Sequence, residues 1–156
     1  MWLGLAVALL VVVLDQASKA WILSFFSERS GEPVAVLTSF FNLVLTGNRG
    51  MSFGLFNTNA AMNTAIFTVL AAVIVIGLGV WLRRAHNHLI RVALGMIIGG
   101  AIGNVIDRVM RGAVVDFLDF HIGTWHWYAF NLADAAICLG VIALLLDGLL
   151  ARPKAA

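Results

Sequence analysis

Carboxylates set in an apolar sequence are the residues here best suited to chemistry. The stretch Val114–Leu150 holds Asp116, Asp119 and Asp134, and Asp134 lies inside a run otherwise suited to lipid. A charge in a bilayer is costly, so an intramembrane acid marks a functional site unless a structural partner accounts for it. Asn131 and Asp134 are spaced i, i+3, and Ala133, Ala135 and Ala136 around them leave room for another backbone. No basic residue stands at helical spacing from Asp134 in its own span, so it must be protonated or matched from another segment. Asp107, Asp116 and Asp119 are the acids on the same side that can share a proton with it. Two adjacent carboxylates cannot both ionise. One can then take a proton from water while the other protonates a carbonyl oxygen, which is aspartic peptidase chemistry. The same pair can relay protons in a transporter. Residue chemistry alone leaves both readings open, beside a third in which the polar residues only join helices of a non-catalytic membrane subunit.

Other polar residues bear on the choice. Asp15 and Lys19, at i, i+4, share a helix face and form either a self-neutralising pair or part of a substrate site. Asn104, Asp107 and Arg108 share the end of one span, where a network pinning the helix end accounts for Asp107. Arg108 adds a fixed positive charge that can hold a neighbouring carboxylate ionised. Asp147, near Arg152, reads as an interfacial residue. His121 and His126 lack a metal-ligand spacing, so no metal and no cofactor is expected. The single cysteine, Cys138, excludes an internal disulfide and reads as a small buried apolar side chain.

The elements that must position these groups follow from composition. Of 156 residues, 62% are hydrophobic and only 12% charged, against about 25% charged in soluble domains. This is an integral membrane protein of one domain, residues 1–156. Its net charge of +2 is too small to imply nucleic acid. The opening "MWLGLAVALLVVVLDQASKAWILSFF" has no basic n-region and no A-x-A-type site, and reads as a first span. Spans are expected at Trp2–Leu23, Ala60–Leu82, Leu89–Ile106 and Tyr128–Leu150. Arg83, Arg84 and Arg91 in one loop, and Arg152 and Lys154 in the tail, place those segments and both termini in the cytoplasm. Asp107, Asp116 and Asp134 then fall near the outer membrane boundary. Val34–Phe56, rich in β-branched and aromatic residues and broken by Gly47, Gly50 and Gly54, suggests short strands lying on the outer surface. Trp125, Trp127, Tyr128 and Phe130 suit an interfacial belt. Gly95, Gly99 and Gly103, at four-residue spacing, read as a close-packing face.

"LDQASK" (Leu14–Lys19), "NRGMSFG" (Asn48–Gly54), "GGAIGNVIDRVMRGAVVDF" (Gly99–Phe117) and "FNLADAAI" (Phe130–Ile137) resemble, in order, the signature segments of the lipoprotein signal peptidases, signal peptidase II. The resemblance implies four transmembrane helices with a small extracytoplasmic β-structured cradle. It implies an aspartic endopeptidase of the bacterial inner membrane, with its active site on the extracytoplasmic side. Such an enzyme hydrolyses the bond before the diacylglyceryl-modified cysteine of prolipoproteins. By resemblance Asp116 and Asp134 are catalytic, and Asp119 and Asp107 are not. Asn104, Arg108 and Asn131 line the site, with Asp15, Lys19, Asn48 and Gly50 near substrate. Met51 stands where the family usually has alanine. The expected partners are lipidated prolipoproteins and membrane lipid, without nucleic acid, and nothing demands more than a monomer. Against the transporter stand the clustering of the acids on one side and the lack of an inverted repeat.

Overall fold

The computed structural model describes residues 1–29, 34–49 and 60–150. Gly50, Met51, Arg152 and Lys154 lie outside them, as does the remainder of the expected strand region beyond Arg49. Among the described residues, four helices are long and apolar enough to cross a membrane: α1 (Trp2–Ser27), α2 (Ala60–Arg84), α3 (His88–Arg111) and α4 (Leu132–Leu150). Each expected span is present. The first three run further than expected, to Ser27, Arg84 and Arg111, and the fourth starts at Leu132 rather than Tyr128.

Helix α3 packs against the other three, and its glycines are the reason it can. Gly99 and Gly103 face α1: an added Cβ would lie 2.6 Å from the Ala8 carbonyl oxygen and 2.5 Å from Asp15 Oδ2, respectively. Gly100 faces α4 in the same way, against the Ala133 carbonyl, and Gly140 of α4 meets the Ala93 carbonyl. Lipid drives no apolar association between helices, so close backbone contact has to supply the packing. On the cytoplasmic side, Asn87 caps α3 by accepting the Leu89 N–H at 2.9 Å and donates to Asp147 Oδ1 at 2.8 Å. Asp147 is therefore a tie between α4 and the α2–α3 turn. At the outer end Gly112 takes φ 74°, and its N–H bonds the Arg108 carbonyl, ending α3 in a left-handed cap.

An antiparallel sheet sits on the opposite end of the bundle from Arg83 and Arg84, in the order β1 (Val34–Val36), β2 (Phe41–Asn48), β3 (Val114–Ile122), β4 (Trp125–His126). Positive-inside logic makes that end extracytoplasmic and puts the ends of the bundle at Trp2 and Leu150 on the cytoplasmic side. Strands β1 and β2 fall where the sequence places them. Strands β3 and β4 lie between the third and fourth expected spans, where no strand is expected. The 26 residues of α1 span about 39 Å and overshoot a hydrocarbon layer of about 30 Å. The overshoot carries the sheet: Ile22 and Phe26 form one core with Ala35, Leu43, Val115 and Phe117. Trp125, Trp127 and Tyr128 are exposed, as a belt requires, whereas Phe130 is half-buried and pairs with β3.

Cys138 corrects its expectation. It is exposed, because the face of α4 turned to α3 carries Ala133, Ala136 and Gly140, and Cys138 lies off that face toward lipid.

Candidate active site

Strand β3 positions Asp116, which is 2% exposed and sits opposite Thr46 of β2. Phe130 then closes a bridge onto the same strand: the Phe117 and Leu118 N–H groups donate to the Phe130 carbonyl at 3.0 and 2.9 Å, and the Phe130 N–H returns to Leu118 at 3.1 Å. That bridge brings the next residue, Asn131, beside Asp116. Asn131 is also the cap of α4. Its Oδ1 accepts the Asp134 N–H at 3.0 Å, and its own N–H donates to Asp134 Oδ2 at 3.3 Å. This is a reciprocal capping box. It fixes Asp134 in the first turn of α4, where the positive end of the helix dipole favours negative charge.

Two asparagines join the carboxylates. Asn131 Nδ2 donates to Asp116 Oδ1 at 2.7 Å, and Asn104 Nδ2 donates to Asp134 Oδ1 at 2.8 Å. Asn131 Nδ2 also reaches Asn104 Oδ1 at 3.2 Å, so the two halves form one network across β3, α3 and α4. Asn48 of β2 adds a side-chain hydrogen bond to Asp116. The Arg108 guanidinium lies near enough to attract Asp134, Asp116 and Asp107. It rests over the Phe67 ring at 5.8 Å, and its Nε is buried with no hydrogen-bond partner among the described residues.

Burial is the largest influence on Asp116 and pushes its carboxyl up to about 6; the Asn48 hydrogen bond opposes this, and the charge of Asp134 adds to it. An acid in that range exchanges its proton near neutrality, as general acid–base chemistry requires.

Asp15, Lys19 and Asp107 form a separate buried group, each fully shielded from solvent. Lys19 Nζ lies 2.9 Å from Asp15 Oδ2 and 2.8 Å from Asp107 Oδ2. Arg111 pairs with Asp107 Oδ1 at 2.6 Å, and the Val115 N–H donates to Asp107 Oδ2 at 3.1 Å. Asp107 thus pins the end of α3 to β3. Asp15 reaches α4, where its Oδ1 accepts the Ala133 N–H at 3.0 Å. Gln16, which the sequence reading passed over, bonds Asp15, the Gly103 carbonyl and Asp107. Its position next to Asp15 in an apolar span was the available signal.

Asp119 stands apart. Three residues along β3 from Asp116, it points to the other face of the strand. It accepts from Asn42 Nδ2 at 2.9 Å and pairs with His126 Nδ1 at 2.9 Å. Burial acts to raise its carboxyl, but the His126 and Asn42 hydrogen bonds and the charge of the histidines win and hold it below the usual carboxylate range. Among the described residues no group of three or more His, Cys, Asp and Glu side chains is placed to hold a metal ion.

Of the residues singled out in sequence, Asp116, Asp134, Asn104, Asn131, Arg108 and Asn48 come together, and Asp15 and Lys19 adjoin them through Asn104. Gly50 lies outside the described residues.

Comparison with known proteins points one way. Residues 7–150 match the family model described as signal peptidase (SPase) II. The chain is 48% identical over 145 residues to the lipoprotein signal peptidase of Beijerinckia indica subsp. indica, covering 93% of this chain and 86% of that one. It is 46% identical over 152 residues to the lipoprotein signal peptidase of Methylorubrum extorquens, covering 97% and 88%. A solved structure described as a bacterial membrane enzyme superposes with a TM-score of 0.78 at 28% identity, over 98% of this chain and 93% of that one.

Proposed function

The chain belongs to the signal peptidase II family, and on that premise we propose that Asp116 and Asp134 are its catalytic pair. It is an intramembrane aspartic endopeptidase of the bacterial inner membrane that removes signal peptides from prolipoproteins. The observation that carries the assignment is the amide network: these two acids, and no other pair among the described residues, are joined through Asn104 and Asn131 without an intervening cation.

The two carboxylates hold one proton and one water between them. The ionised carboxylate takes a proton from the water, whose oxygen attacks the scissile carbonyl carbon. The protonated carboxyl donates to the carbonyl oxygen, giving a neutral gem-diol. A proton then passes to the departing amine as the C–N bond breaks, and the pair returns to its starting state. The pair titrates as a unit, and burial of Asp116 together with the Asp134 charge raises the Asp116 carboxyl into the range where it exchanges a proton near neutrality. Asn104 and Asn131 orient the carboxylates, and the Arg108 charge balances them.

The bond cut is the one before the diacylglyceryl-modified cysteine. The acyl chains of such a substrate stay in lipid while its backbone reaches headgroup depth, the level at which α4 begins and β3 crosses it. Residues 1–156 act as one peptidase domain and as a monomer, with Gly50 near the substrate.

The test is cleavage of a diacylglyceryl-modified prolipoprotein peptide by the purified chain in detergent, beside Asp116→Asn and Asp134→Asn. Wild type is expected to cut before the lipidated cysteine, and each variant to fold and lose about a thousandfold or more in kcat. Retained turnover in a folded Asp134→Asn would sink the assignment. Proton-coupled solute flux in liposomes without peptide cleavage would favour the transporter.

A further inference from the structure

Lys19 is a fully buried lysine one helix away from the catalytic pair. An ammonium carries three donors and no acceptor. All three of its donors are engaged, by Asp15 Oδ2 at 2.9 Å, Asp107 Oδ2 at 2.8 Å and Asn104 Oδ1 at 3.2 Å. None remains for a substrate.

The third bond has a consequence at the site. A primary amide offers an oxygen at one end and an NH₂ at the other, and either can face a carboxylate. Asn104 Oδ1 accepts from both Lys19 and Asn131 Nδ2, which fills both of its lone pairs. Flipping the amide would turn its NH₂ against an ammonium and a second NH₂, and its oxygen against the Asp134 carboxylate. The present orientation alone leaves Nδ2 directed at Asp134 Oδ1, at 2.8 Å. Asn131 needs no such help, because the α4 cap already holds its Oδ1.

We propose that Lys19 is a positioning residue, one that never touches substrate and acts by fixing the Asn104 amide with its NH₂ toward Asp134. The inference rests on Asp134 belonging to the catalytic pair. Asp15 and Asp107 serve it in turn: with Arg111 they make the buried cluster neutral, two negative charges against two positive.

The experiment is steady-state cleavage of the diacylglyceryl-modified prolipoprotein peptide by the full chain in detergent. Wild type, Lys19→Met, Asn104→Ala and the double variant are compared, with Asp134→Asn as control. Lys19→Met is expected to lower kcat between about tenfold and a hundredfold, the scale of a displaced positioning contact, with KM within about twofold of wild type. The double variant is expected to match Asn104→Ala alone, since the route from Lys19 is already cut. A rise in KM at unchanged kcat, or losses that simply multiply in the double variant, would overturn the proposal by making Lys19 a substrate contact or an independent structural element. If Lys19→Met fails to fold, the cycle is run on Lys19→Met/Asp15→Asn, in which one charge of each sign is removed and the Asp107–Arg111 pair stays intact. Full activity in Asp134→Asn would instead overturn the reading of the pair itself, whatever Lys19 does.

Discussion

Two groups of acids lie side by side in this protein and are held in opposite ways. Asp15 and Asp107 face cations, Lys19 and Arg111, at ion-pair distance. Asp116 and Asp134 face amides, from Asn131 and Asn104. A cation commits its carboxylate to the ionised form. An amide gives geometry without net charge and leaves the proton negotiable. The first arrangement ties helices together, and the second suits an acid and base that exchange roles within a catalytic cycle.

The sharpest way to break this contrast is to remove one acid of the ion-paired group. Asp107→Ala leaves Lys19 and Arg111 short of a partner and separates α3 from β3. The expected loss is about 3 kcal/mol or more of stability, read by thermal unfolding in detergent, while the folded fraction keeps a normal KM. Asp116→Asn is its mirror image: turnover is abolished and the melting temperature holds or rises, because a buried acid has become a neutral amide. If Asp116→Asn proves the more destabilising of the two, the distinction fails.

A smaller effect sharpens the amide side. The Asn48 hydrogen bond pulls Asp116 down against the effect of burial. Asn48→Ala removes that pull, so Asp116 keeps its proton to higher pH. The alkaline limb of kcat/KM, which reports loss of the shared proton, is expected to move up. A downward shift would contradict the role of Asn48.

The smallest effect on catalysis belongs to Asp119. Its carboxyl is held below the ordinary range by His126 and Asn42 despite burial. A depressed carboxylate contributes stability that is present above its unfolded value of about 4 and is lost as pH falls through its lower folded value. Asp119→Asn is expected to cost about 1 kcal/mol, since His126 is half exposed and the pair is screened. It should also flatten the acid limb of stability and leave cleavage within a few fold. Abolished cleavage in the folded variant would move Asp119 into the site.

Hydropathy and charge made the spans legible, and span ends placed Asp107, Asp116 and Asp134 at one boundary without any contact being known. Helical spacing correctly paired Asp15 with Lys19. It was silent on Asp107 and the Ala133 N–H, because those partners come from other helices. Strand β3 went unread because its partner β2 lies some seventy residues earlier and neither strand betrays the pairing. The Asn131–Asp134 capping box was visible as an i, i+3 pair, yet only the bridge to Leu118 shows why the cap stands beside Asp116. Cys138 was misread because an apolar span does not reveal which of its faces meets lipid.

Helix α1 also works as a ruler. Asp15, Lys19, Ile22 and Phe26 are all buried and recur at intervals of four, three and four, so one stripe carries the polar anchor below and the seat of the sheet above. One residue inserted between Lys19 and Ile22 would turn that seat by about 100° away from the anchor. Seven inserted residues would restore the azimuth but raise the sheet by about 10 Å, lifting the strand that bears Asp116 off the helix that bears Asp134. The count of residues along this stripe is therefore a coordinate of the reaction centre.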